Sequence, residues 1–182
     1  MRSKVAPAAL EAAVGKALAP IRQQTHFLVT MPGVSDTVAH VLVAEIGVDM
    51  TRFPTAAHLI SWAGLCPRND ESAGKRRSTR VRPGAPWLKT TLVTAAWAAV
   101  RTKNSHLQAQ FVHLKARRGA KKTILAVAAS MLGASYYMLR DGVPYRDLGA
   151  EHFVRHDKAK NIGCLVRRLR DLGCEVDVTH AA

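Results

Sequence analysis

Apolar residues recur at spacings of three and four along most of this chain, and nearly every stretch of that pattern is cut short by Gly or Pro. Strand-like alternation is scarce. Such punctuation confines the chain to short helices, each of which must bury one face against its neighbours. The pattern therefore predicts an all-α fold: a compact multi-helix domain with a helix-hairpin-helix-like element and a basic loop.

The expected elements follow from the breakers. Residues 8–29 read as an amphipathic helix, bent or split near Pro20, with Leu10, Val14, Leu18, Ile21 and Leu28 near one face. Its polar remainder suggests the end of something longer. "MPGVSDTVAHVLVAEIG", Met31 to Gly47, predicts a turn at Pro32-Gly33, a Ser35 or Asp36 cap, and a helix closed by Gly47. Further helices are expected at about 55–63 (capped by Thr55, ended by Gly64), 86–102, 105–117, 120–140 and 159–172. Residues 67–84 lack helical periodicity and read as a loop, and the tail from Glu175 as a short strand or disorder. Three parts result: a helical segment at 1–30, a main domain at 31–150, and a basic helix with tail at 151–182.

At 182 residues the chain has room for one domain with a real core plus an appendage. Its formal charge is +14, and the distribution says more than the total. Residues 68–122 hold 14 of the 27 Lys and Arg but only two acids, Asp70 and Glu71, a local net of +12. Cations so concentrated imply a polyanionic partner, because neutralising phosphates releases condensed counterions. Nucleic acid leads among the candidates. A membrane is disfavoured: the run from Thr123 to Leu139 is too short to span and is broken by Gly133 and two serines, so it reads as a buried core helix. Glu11 and Lys16 interrupt the N-terminal stretch before a signal-length apolar run can form, and a cytoplasmic location is expected.

Several chemistries lack their residues. Cys66, Cys164 and Cys174 form neither a disulfide framework nor a zinc spacing. His152 and His156 stand at i,i+4 with no matching Cys or carboxylate ligand near them in sequence, and Glu45 and Asp49 could share a helix face as a solvated pair, so no metal site is expected. Gly74-Lys75 is followed by Arg76 and lacks the upstream glycine of a phosphate loop. Aromatic residues are few and scattered, which gives no support to a base-stacking platform.

Two stretches carry candidate chemistry. The Pro32-Gly33 turn resembles that of a helix-hairpin-helix, which presents backbone N–H groups at a helix N-terminus to a DNA phosphate, although Ser35 stands where the second glycine is usual. A plain helical turn is the alternative reading. The second stretch, "PRNDESAGKRRSTRVRPG", Pro67 to Gly84, sets Arg68, Lys75, Arg76, Arg77, Arg80 and Arg82 around Ser72, with the small residues Ala73 and Gly74 beside it.

The order of these segments, "MPGVSDTVAHVLVAEIG…FPTAAHLISWAGLCPRNDESAGKRR", then "RPGAPWLKTTLVTAAWAAV", then "RRGAKKTILAVAASMLGASYYML", resembles the C-terminal transposase domain of the IS110 (IS116, IS902) insertion-sequence family from about Met31 to Asp141. Members of that family look like two-part, RNA-guided DNA recombinases. An acidic RuvC-like half holds magnesium, a coiled coil follows, and the C-terminal domain supplies a serine nucleophile. The family's Ser-Gly-Gly-Lys stretch falls on Ser72, Ala73, Gly74 and Lys75, which makes Ser72 the nucleophile position. The family's Lys-Arg-Gly-Asn or Lys-Arg-Gly-Asp element falls on Arg82-Pro83-Gly84-Ala85, with alanine at the polar fourth place.

The resemblance also implies that residues 1–30 end the coiled coil and that the acidic half with its magnesium is not part of this chain, leaving no cofactor here. Implied partners are DNA, a structured guide RNA, the acidic half and a possible second copy. Alone, the chain is expected to be inactive.

The chemistry can be stated from the residues. A serine hydroxyl is a weak nucleophile, so attack on a phosphodiester needs a proton acceptor or a metal, and cations to offset charge on the phosphoryl group. Arg68, Lys75, Arg76 and Arg77 are near enough in sequence to meet the second need. Asp70 and Glu71 read more readily as their ion partners than as a base. Pro32, Gly33, Gly74, Arg80, Arg82, Lys121 and Lys122 complete the candidate phosphate contacts. Two other readings remain: a non-catalytic helix-hairpin-helix module that binds nucleic acid, and a basic protein that binds structured RNA by shape.

Overall fold

The computed structural model describes residues 19–68, 70–78 and 80–177. Among the described residues, seven α-helices and one short hairpin follow in order: α1 (Arg22–Val29), α2 (Asp36–Ile46), α3 (Ala56–Trp62), β1 (Asp70–Ser72), β2 (Lys75–Ser78), α4 (Pro86–Ala99), α5 (His106–Arg118), α6 (Ala120–Asp141) and α7 (Glu151–Asp171). The fold is helical, as the punctuation predicts. Of the helix expected from residue 8, the part before residue 19 lies outside the described residues; Pro20 sits in a 3₁₀ turn, Ala19–Ile21, that leads into α1.

Central to the core is α6, against which α1, α3, α4 and α5 all pack. At 22 residues it is longer than the run read from the sequence, and by length and composition it could cross a bilayer. Its burial gives it another role. Ile124, Val127, Ala128, Met131 and Leu132 are all buried within the domain. Two buried hydroxyls are satisfied within the helix, Thr123 Oγ1 donating to the Gly119 carbonyl at 2.8 Å and Ser135 Oγ to the Met131 carbonyl at 3.0 Å. The Tyr136 hydroxyl reaches across the core to the Phe53 carbonyl at 3.0 Å.

Helix α1 joins α2 through the Pro32-Gly33 turn. Ser35 caps α2, its Oγ accepting the Val38 N–H at 3.4 Å, and Ala39, Leu42, Val43 and Ile46 turn inward. The helix stops at Ile46, and Asp49 caps the following 3₁₀ turn by accepting the Thr51 N–H at 2.9 Å, so Glu45 and Asp49 do not share a helix face. Gly33 has φ +81°, and a Cβ built there would stand 2.4 Å from the Ala95 carbonyl oxygen and 2.5 Å from the Ala99 nitrogen. Only glycine lets the turn rest on the backbone of α4.

Two further expectations change. Helix α7 begins at Glu151, well before residue 159, because its first turn docks on α5: the His152 and His106 rings meet edge to face at 4.9 Å. The loop before α7 is tied to the same place by Asp147, whose Oδ1 accepts the N–H groups of His106 at 2.9 Å and Gly149 at 2.7 Å. Residues 67–84, read as a loop, instead contain the β1–β2 hairpin.

Burial and the neighbouring His152 lower the His106 pKa, with Asp147 opposing them. A lowered folded-state value means that the unfolded chain binds more protons below about pH 6.5, so stability is full above that pH and falls as His106 protonates. Melting temperature should drop between pH 7.5 and 5.5, and the drop should shrink in His106→Gln. Separately, Gly33→Ala should cost on the order of 3 kcal/mol or more in denaturant titrations, because backbone on both sides of the clash cannot yield.

Candidate nucleic-acid interface

The hairpin grows out of a backbone crossing. A Cβ at Gly84 would lie 2.5 Å from the Ala63 carbonyl, and one at Gly64 would lie 2.7 Å from the Arg82 carbonyl oxygen. The chain leaving α3 and the chain entering α4 therefore touch with no side chain between them. Beyond the crossing, Pro67 pairs with Val81 and the Arg68 N–H donates to the Arg80 carbonyl at 2.9 Å. The strands then run antiparallel with Asp70 opposite Ser78, Glu71 opposite Arg76 and Ser72 opposite Lys75. Arg77 is the extra residue of an irregularity in that register.

Ala73 and Gly74 form the two-residue turn, with φ of +51° and +73°. Positive values at both places match a type I′ connection, whose twist suits a hairpin. Asn or Gly normally occupies the first of them; Ala73 accepts the left-handed conformation at a cost of about 1 kcal/mol. Ser72 and Lys75 flank the turn, both exposed and directly opposite, so their side chains leave the same face of the hairpin. Among the described residues the Ser72 hydroxyl has no hydrogen-bond partner.

A second group of cations stands where α5 ends and α6 begins. Lys115, Arg117, Arg118, Lys121 and Lys122 are all exposed. The first three complement the C-terminal dipole of α5. Lys121 and Lys122 do the opposite: they occupy the first turn of α6, where no acid offsets them and where the helix end is itself positive. Charges that oppose the local helix field cost helix stability rather than add to it.

A groove of about 510 Å³ connects the two groups. Pro67 and Val81 from the hairpin base line one side, Arg118 and Lys122 the other, with Ile60, Leu65, Cys66 and Leu125 among its apolar residues. Exposed Arg68, Arg80 and Arg82 belong to the hairpin bank of this surface. No Asp or Glu occurs in the sequence between Glu71 and Asp141, so β2, Arg80, Arg82 and the α5–α6 bank come from an acid-free stretch of chain, whereas β1 itself carries Asp70 and Glu71.

The Pro32-Gly33 turn is not part of this surface. It rests on the C-terminal end of α4, whereas the hairpin joins the N-terminal end, roughly 18 Å away at 1.5 Å per residue. Exposed Asp36 stands in the first turn of α2 beside it. Among the described residues, no three His, Cys, Asp or Glu side chains converge in a way that could hold a metal. Two features escaped the sequence reading. Trp87 is among the most solvent-exposed of the large apolar side chains, and Ala85 is the N-cap of α4, without a side chain able to cap it. Pro86 immediately after Ala85 was the available signal for the second.

Replacing Lys121 and Lys122 together by Gln should raise stability by roughly 0.3–1 kcal/mol per charge removed. The same variant should bind duplex DNA more weakly, with a salt-dependence slope lower by about two. Unfolding curves and binding across a salt series check the two effects in opposite directions.

Residues 25–112 match the model of the Transposase IS116/IS110/IS902 family. The Insertion element IS110 uncharacterized 43.6 kDa protein of Streptomyces coelicolor is 34% identical over 140 residues, 75% of this chain and 34% of that protein. The pilin gene-inverting proteins of Moraxella bovis and Moraxella lacunata are 31% and 30% identical over 130 residues, 69% of this chain and 39% of each relative. This chain thus spans little more than a third of the length of these relatives. Over residues 25–112, from within α1 to the first half of α5 and including the whole hairpin, the chain is similar to the Transposase IS116/IS110/IS902 family.

Proposed function

We propose that this chain is the nucleic-acid-binding and serine-bearing part of a DNA transposase or recombinase, acting in strand exchange. The carrying observation is the register of Ser72 opposite Lys75 across a two-residue turn, at the tip of a cation-rich hairpin. A hydroxyl there is open to a phosphodiester, and an ammonium on the same face can offset charge on the phosphoryl oxygens.

In the proposed step the Ser72 Oγ attacks phosphorus and forms a new O–P bond while the bond from phosphorus to the departing sugar oxygen breaks. The Ser72 proton leaves to solvent, and the departing oxygen takes up a proton. The resulting phosphoserine diester keeps one phosphodiester for every one broken, so a strand can be resealed without a nucleotide cofactor. Arg68, Arg80, Arg82, Lys121 and Lys122 hold the DNA backbone along the groove. Arg76, Arg77 and Gly74 complete the hairpin's contribution. Magnesium, an acidic RuvC-like half, a guide RNA, a second copy and a cytoplasmic setting belong to this proposal as the context in which the chain works.

A helix-hairpin-helix role for Pro32 and Gly33 is the weaker part of the reading. The helix–turn–helix path of α1 and α2 supports it, but the Gly33 contact with α4 accounts for that glycine by packing alone. A second reading, a binding module without catalysis, is favoured by the lack of a hydrogen-bonded proton acceptor at Ser72 among the described residues.

Ser72→Ala separates the two. Duplex affinity of the variant should match wild type, and in both it should fall about a thousandfold between 50 and 200 mM salt if six phosphates are contacted. Supplied with the acidic half of a relative, magnesium and guide RNA, wild type should form covalent protein–DNA adducts on denaturing gels and Ser72→Ala none. Equal adducts from both would leave only the binding module.

A further inference from the structure

Trp87 is 76% exposed, a large indole in water at the first turn of α4. The other two tryptophans are accounted for by ring packing: Trp62 lies 5.7 Å from Phe53 and Trp97 lies 5.7 Å from Phe111, centroid to centroid. Among the described residues Trp87 has no such partner. Its backbone is nonetheless held firmly. Pro86 precedes it, fully buried Leu88 follows it, and the Lys89 N–H donates to the Ala85 carbonyl at 3.0 Å.

Its neighbours narrow what the ring could meet. Exposed Arg82 stands on one side in sequence and Lys89 on the other, and the Lys89 Nζ folds back to the Arg82 carbonyl at 3.5 Å. The next exposed residues along the same side of α4 are Thr90 and Thr94, not apolar ones. A protein-docking surface presents a contiguous apolar patch. An isolated indole among cations and threonines fits a flat π-surface with phosphates on either side. Within a duplex the faces of the bases are already stacked on each other, so the fitting ligand is an unpaired base.

We propose that Trp87 is a stacking site for an unpaired nucleobase of a nucleic-acid strand, with Arg82 and Lys89 receiving the flanking phosphates; this rests on the reading that the cationic face binds nucleic acid. The Gly64–Gly84 crossing connects the segment before Trp87 rigidly to the base of the hairpin that carries Ser72. A strand drawn out of its duplex would thereby be held at a fixed distance from the serine. Stacking is tolerant of sequence, so all four bases should be accepted.

The test uses the full chain as wild type, Trp87→Phe and Trp87→Ala, with two DNA probes of equal length, one fully paired and one with a central bulge of unpaired nucleotides. An RNA bulge of the same sequence identifies which strand chemistry is preferred. Wild type should bind the bulged DNA more tightly than the paired one, with quenched tryptophan emission. Trp87→Ala should lose about 5- to 100-fold on the bulged probe alone, and Trp87→Phe should keep most of the affinity. Because the side chain is exposed, all three proteins should give the same melting curve. Undiminished binding of bulged DNA by Trp87→Ala overturns the proposal, as does an equal loss on both probes, or a change in oligomeric state with DNA binding intact. Failure of wild type to bind any probe would overturn the nucleic-acid reading beneath it, a result distinct from a defect confined to Trp87→Ala.

Discussion

Helix α4 is held at both ends by backbone contacts that admit no side chain. At its C-terminal end Gly33 lies on Ala95 and Ala99; before its N-terminal end Gly84 lies on Ala63 and Gly64. Between those points Leu88, Leu92, Ala95, Ala96 and Ala99 are buried, and α4 packs along α6. The small residues allow close approach, and close-packed interiors transmit position rather than absorb it. The hairpin, the Pro32-Gly33 turn and the core are thus indexed to one helix. This is what gives a serine on a protruding two-stranded hairpin a defined relation to the cations of α5 and α6.

Charge on this surface runs against local stability in more than one place. Lys121 and Lys122 oppose the α6 dipole, and Ala85 leaves the α4 N-terminus uncapped where Ser, Thr, Asp or Asn would accept an N–H. Ala73 sits in a left-handed conformation that glycine would take freely. Each feature lies on or beside the groove and the hairpin. Nothing in the structure explains the alanine at position 73.

The helical class, the order of the helices and most of their ends were legible in the sequence. Ser35 capping α2, Gly47 ending it and the burial of Met131 and Leu132 all follow from local propensity and a 3.6-residue period. These are short-range preferences, and tertiary contacts here reinforce them. The early start of α7 was not legible, because Glu151 to Lys160 has no apolar periodicity and the His152–His106 contact with α5 lies far away in sequence.

Residues 67–84 mark the boundary between the two kinds of information. Their composition determined that the segment is cationic and that it contains Ser72 beside the small residues Ala73 and Gly74, since charge and size are properties of the residues themselves. That the segment is a hairpin, that Ser72 stands opposite Lys75, and that Pro67 and Val81 share a groove with Arg118 and Lys122 were decided by the tertiary structure alone. Pairing between short polar strands has almost no periodic signature, because neither face is buried and alternation carries no hydrophobic signal. The register is set by the turn at one end and by the Gly64–Gly84 crossing at the other, and the crossing exists only once α3 and α4 have packed on α6.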